Sequence, residues 1–217
     1  MWRPPVESTQ TPTPTAAGGE VTSGSPTTSP LFGIYQSRLG QESHINDISA
    51  HMPELHYWAR GYRWVRILEI GVRTGNSTSA FLAALELDGG GDLWSIDIDD
   101  TYVPMEWRRL MPRWHFLKAD SLSPEAAAWV PRELDVLFLD GDHAYERCLG
   151  ELRAYGPRVV KGGVILCHDT LLRGEVFGAP ADPKYPVAAA ISQWCHETKR
   201  TWEQREGHFG LGVIRIS

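Results

Sequence analysis

The 217 residues carry 21 Lys and Arg against 27 Asp and Glu, a net charge of −6, with 42% apolar and 22% charged residues; this suits one globular domain, or a domain and a tail. No apolar run nears the ~18 residues of a membrane span, no basic stretch with an apolar core marks a secretory signal, and an acidic chain without Lys/Arg clusters is a poor partner for nucleic acid. Cys148, Cys167 and Cys195 lie far apart without a CxxC, which disfavours a disulfide framework or zinc knuckle and points to a reducing, cytoplasmic setting.

Residues 1–30 hold 11 Ser or Thr, 6 Pro and 3 Gly, with only Arg3, Glu7 and Glu20 charged. So little apolar surface cannot offset the entropy of ordering, and the segment reads as a disordered tail before one domain over 31–217. Ile45, Ile48, Met52, Leu55 and Trp58 then recur at helical spacing. From there short apolar runs alternate with helical stretches. Strands are expected over 65–70, 93–98, 115–118, 134–139 and 164–167, with Lys161-Gly162-Gly163 as a turn before the last. Helices are expected over 77–87, 124–130 and 186–198, and along the face of Tyr145, Cys148, Leu149, Leu152 and Tyr155. Two last strands, 201–206 and 211–216, have no helix between them. This alternation implies an α/β fold, a Rossmann-like, doubly wound, seven-stranded and mostly parallel sheet with an antiparallel hairpin on one edge.

Ligands of an open parallel sheet bind beyond the carboxyl ends of its strands. After the first strand, Gly71 and Gly75 permit a tight turn and close approach of a ligand to the backbone. The helix opening at Ser77 offers free N–H groups. The spacing is not the GxGxxG of dinucleotide binders, and Glu69 would repel a pyrophosphate, so a cationic or zwitterionic ligand fits better. Asp97, 22 residues beyond Gly75, ends the second strand, where a carboxylate can accept both hydroxyls of a ribose. Asp120, after the third, could meet an adenine amino group or cap the next helix. Asp140 and Asp169 end neighbouring strands. Two bare carboxylates repel, so a divalent cation between them is the economical reading, Mg²⁺, Mn²⁺ or Ca²⁺ by donor type, with His143 and His168 leaving room for a transition metal. The plainer alternative is that Asp140 or Asp142 caps a helix.

The motifs ILEIGVRTGNST, LWSIDID, DVLFLDGDHAYE and KGGVILCHDT resemble those of the class I S-adenosylmethionine-dependent methyltransferases. Within that class the chain is similar, from about residue 45 to 217, to the small metal-dependent O-methyltransferases of the catechol and macrocin (sugar) types. The resemblance implies that Glu69, Gly71, Gly75 and Ser77 hold the methionine end and backbone of the cofactor, Asp97 its ribose, and Asp120 its adenine. It makes Asp140 and Asp169 ligands of a divalent cation, Mg²⁺ first, and His143 the base. Thr170 stands where catechol-type members have Asn, which leaves the third metal ligand open, with His168 a candidate. The lysine base of catechol methylation is absent, and so is the Asn-Pro-Pro-Tyr signature of many N-methyltransferases, which disfavours nucleic-acid bases as acceptors. The implied activity is transfer of a methyl group to a hydroxyl of a small molecule, a sugar or natural-product intermediate. Hydroxylases of the same fold share much of the pattern. A nicotinamide-dependent oxidoreductase is the other alternative, disfavoured by the glycine spacing and Glu69. The Gly- and Pro-rich stretch 171–186 is expected to border the acceptor as a lid, residues 44–58 to cover the pocket, and a homo-oligomer is compatible with the sequence.

Overall fold

The computed structural model describes residues 30–39, 47–62, 64–88, 90–100, 112–174 and 183–217. The expectations for the tail before Pro30, for Ile45 and for the middle of the 171–186 stretch lie outside the described residues.

The apolar runs become the parallel strands β1 (Val65–Ile70), β2 (Gly91–Asp97), β3 (Trp114–Lys118), β4 (Leu134–Leu139) and β5 (Val159–His168). β6 (Glu203–Arg205) and β7 (Leu211–Arg215) complete a seven-stranded sheet of order β3-β2-β1-β4-β5-β7-β6. β7 is antiparallel to both β5 and β6. The last strand therefore enters the sheet beside β5, and β6 takes the edge. The winding reverses between β1 and β4, which opens a crevice above their carboxyl ends.

β4 is buried along its whole length, and β1 everywhere except Arg66. Alternate residues serve opposite faces. Ile67, Val136, Phe138 and Leu166 pack against α1 (Pro30–Arg38), α2 (Met52–Trp58) and α3 (Asn76–Asp88), where Phe81 meets Phe138 edge-on at 5.6 Å. Leu68, Leu137, Ile165 and Cys167 pack against α4 (Pro124–Trp129), α5 (Tyr145–Tyr155) and α6 (Pro186–Thr198). Each fully buried aliphatic or aromatic side chain contributes roughly 1.5–3 kcal/mol of transfer free energy, which holds the three layers together. Arg66, the one basic residue of β1, binds Asp135 of β4 through its backbone N–H at 2.8 Å and its guanidinium at 2.9 and 3.1 Å. All three cysteines are buried free thiols. Among the described residues no helix is long and apolar enough to cross a membrane.

Lys161-Gly162-Gly163, expected as a turn, lies inside β5 instead. The β4–β5 register shifts between the pairs Leu134–Val159 and Val136–Val164, where β5 carries three residues more than β4, Gly162 among them at φ +88°. A Cβ on Gly163 would lie 2.6 Å from the Asp135 carbonyl oxygen. The two glycines thus build a bulge within a continuous strand rather than its beginning.

Candidate active site

The β1–α3 turn forms one wall of the crevice. Gly71 (φ +91°) sits so close to β4 that a Cβ would be 2.2 Å from the Asp140 carbonyl oxygen. Gly75 (φ +77°) donates its N–H to the Val72 carbonyl at 2.8 Å and turns the chain into α3. Glu69 is fully buried beneath this turn. Its carboxyl accepts hydrogen bonds from Ser77 Oγ (2.7 Å), Thr78 Oγ1 (2.8 Å) and Ser95 Oγ (2.6 Å). Burial pushes it up to about 7 against the pull of those three hydroxyls.

A cavity of about 570 Å³, within the usual range of small-molecule sites, runs along the strand tips from Asp97 and Asp120 to Asp140, His143 and Asp169. Gly71, Ser77 and these acids line it, whereas Glu69 and Gly75 lie behind the lining and shape the turn. Asp97 Oδ2 accepts the backbone N–H groups of Val72 (2.8 Å) and Arg73 (3.0 Å), and its Oδ1 that of Asp99 (3.0 Å). The acid at the tip of β2 thereby fixes the glycine turn on the tip of β1.

Asp120 does not cap α4. Ser123 does, accepting the Ala126 N–H at 3.1 Å. Asp120 accepts the Leu122 N–H at 2.8 Å and pairs with Arg147. Arg147 also donates to Ser121 Oγ at 3.1 Å, and Ser121 donates to Glu151 at 2.5 Å. Glu151 is buried in α5, and burial pushes its carboxyl up to about 7. Sequence reasoning missed Ser121, Arg147 and Glu151. Glu151 had a legible signal, because it falls one turn after Cys148 and one before Tyr155, on the helix's apolar face.

At the other end, donor atoms of Asp140, His143 and Asp169 all lie within 4.8 Å of one another. His143 Nε2 is 2.7 Å from Asp169 Oδ2. Asp169 is buried, and its Oδ1 has no hydrogen-bond partner among the described residues. An orphaned buried carboxylate oxygen beside a second carboxylate and an imidazole is a donor set that fits a hard divalent cation. His168, the expected third ligand, stands behind the carboxylates instead. It is 1% exposed, and its Nδ1 lies 3.1 Å from Asp140 Oδ1 and 3.2 Å from Asp169 Oδ2, a donor to both. Its ring meets that of His51 edge-on at 5.6 Å, and His51 Nε2 is 3.0 Å from the Gly207 carbonyl. His51 also escaped sequence reasoning, since its role depends on chain 156 residues away.

Burial alone would lower His143 and His168, but Asp169 and Asp140 outweigh it, so both imidazoles are held above their ordinary value. Burial would likewise raise Asp169, yet the two histidines hold it well below the usual carboxylate range. In the sequence His143 stands just before a helix, whose N-terminal dipole would favour a neutral ring. Helix α5 begins at Tyr145, with Ala144 as its cap, and the carboxylates decide the balance. Asp47 and Ile48, from the segment expected to cover the pocket, do line it.

Residues 68–170 match the family model described as a methyltransferase domain. No curated protein matches the chain. Among solved structures, MycE, the methyltransferase of the mycinamycin biosynthetic pathway in complex with Mg, SAH and mycinamycin VI, aligns with TM-score 0.60 at 18% identity, over 86% of this chain and 52% of that one. An SAH-bound methyltransferase of Podospora anserina aligns with TM-score 0.57 at 15% identity, over 86% and 87%. A proposed caffeoyl-CoA O-methyltransferase of Staphylococcus aureus aligns with TM-score 0.62 at 15% identity, over 86% and 97%. The chain spans about half the length of MycE. The matched segment is thus that of a methyltransferase domain, and the fold is similar to that of these solved methyltransferases.

Proposed function

We propose that the chain moves a methyl group from S-adenosylmethionine to a hydroxyl of a small molecule, such as a sugar or natural-product intermediate, at a site that holds a divalent cation. The observation that carries this reading is one cavity with a nucleoside-type end, Gly71, Asp97 and Asp120, and a metal-type end, Asp140, His143 and Asp169. MycE, of like fold, was solved with Mg and SAH. The family match favours methyl transfer over the nicotinamide alternative.

When bound, adenosylmethionine supplies an electrophilic methyl on sulfonium, and a divalent cation supplies Lewis acidity toward the acceptor oxygen. The chain's own residues do the rest. Gly71 lets the ligand approach the backbone, Asp97 is placed for the ribose, and Asp120 with Ser121 faces the base. Asp140 and Asp169 would hold the cation, and His168 keeps both carboxylates oriented from behind. His143 takes the acceptor's proton on its other ring nitrogen, Nδ1, as the carbon–sulfur bond breaks and the carbon–oxygen bond forms, and Asp169, bound to Nε2–H, stabilises the resulting imidazolium. Incubation with methyl-labelled adenosylmethionine and diol-bearing acceptors tests the reading. Label on an acceptor oxygen supports it, whereas label on nitrogen or carbon alone overturns it.

A further inference from the structure

Nine of the cavity's lining residues are Asp or Glu and two are Arg, a net excess of seven negative charges. Arg147 is already committed to Asp120 and Glu151. Adenosylmethionine carries one net positive charge and a divalent cation two, so a loaded site stays negative even with Glu151 protonated. The excess is not confined to the nucleoside end. Asp142 lies between Asp140 and His143, and Asp47 opens the short turn that leads to His51, beside His168.

We infer that the acceptor is a neutral or cationic hydroxyl compound, and that acceptors bearing carboxylates or phosphates, coenzyme A thioesters included, are rejected. This rests on the hydroxyl-methylation reading and narrows its substrate class. An anion entering a cleft of like sign between low-dielectric walls meets repulsion that water screens poorly, whereas a cation is drawn in.

Three catechols that differ in side-chain charge test it: dopamine, hydroxytyrosol and dihydroxyphenylacetate. Each is titrated by calorimetry into the full chain saturated with Mg²⁺ and SAH, at low and high salt. The expected order of affinity is amine, alcohol, acid, with amine and acid apart by on the order of tenfold or more at low salt, narrowing at high salt. Asp47→Asn combined with Asp142→Asn, in which Asn can still accept the Ala144 N–H, is expected to narrow the gap as well. Equal affinities, a preference for the acid, or a gap indifferent to salt overturns the inference while leaving hydroxyl methylation standing. If SAH binds and none of the three does, the hydroxyl-acceptor reading falls and the inference falls with it.

Discussion

Asp97 and Glu69 end neighbouring strands but do different work. Asp97 lines the cavity, while Glu69 is enclosed by three hydroxyls behind it. Asp97→Ala is therefore expected to weaken adenosylmethionine binding by roughly 1–3 kcal/mol, the cost of a lost charge-assisted contact, with a smaller effect from Glu69→Gln; calorimetry showing the reverse order would contradict this placement. Glu69 has a second signature. Its folded-state value of about 7 exceeds its ordinary 4.5, so between those values the folded chain holds a proton that the unfolded chain has released. Stability should then fall as pH rises across that window, by at most about 3 kcal/mol from this group. In Glu69→Gln that component disappears, and the variant should gain on wild type between pH 4.5 and 7 in urea titrations. Parallel pH profiles for the two proteins would show that Glu69 ionises normally.

The two histidines separate by position. His143 faces the cavity, and His168 supports both carboxylates from behind. Removing a positioned base typically costs ~10²–10⁴-fold in rate, so His143→Ala should lose turnover at that scale and still bind adenosylmethionine. His168→Ala should instead lower affinity for Mn²⁺ and thermal stability, because it leaves the buried Asp169 and the half-buried Asp140 without their shared donor. Turnover lost in His168→Ala alone, with metal affinity intact, would transfer the base role to His168.

At the scale of elements, the strand tips were legible because burial on both faces writes short, unbroken apolar runs, and parallel strands put their terminal acids in a row. Direction within a tip was not. Whether Glu69 faces the cavity or the turn depends on where Ser77, Thr78 and Ser95 fall, and those hydroxyls come from other elements. Gly162-Gly163 reads as a turn in isolation, and only the β4–β5 register reveals a bulge. Helix α1 went unassigned because its Gly33 and weak amphipathic pattern hide the burial of Leu31 and Tyr35. The turn itself can be tested. Gly71→Ala places a methyl against the Asp140 carbonyl at positive φ, and should cost about 2–4 kcal/mol of stability. A melting temperature unchanged from wild type would mean that β1 and β4 separate freely at their tips.

For the molecule as a whole, the sheet joins two half-sites that neither layer could build alone. The proposed nucleoside end hangs on β1, β2 and β3, and the proposed acceptor end on β4 and β5. The most direct test of the account is labelled methyl transfer from adenosylmethionine to a diol acceptor after exhaustive chelation, followed by addition of Mg²⁺ or Mn²⁺, with cofactor binding measured in parallel. The account predicts that chelation abolishes transfer, that the metal restores it, and that cofactor affinity stays nearly unchanged throughout. Full turnover in the chelated protein, or in Asp140→Asn without added metal, would contradict it and leave the two carboxylates a structural part of the strand tips.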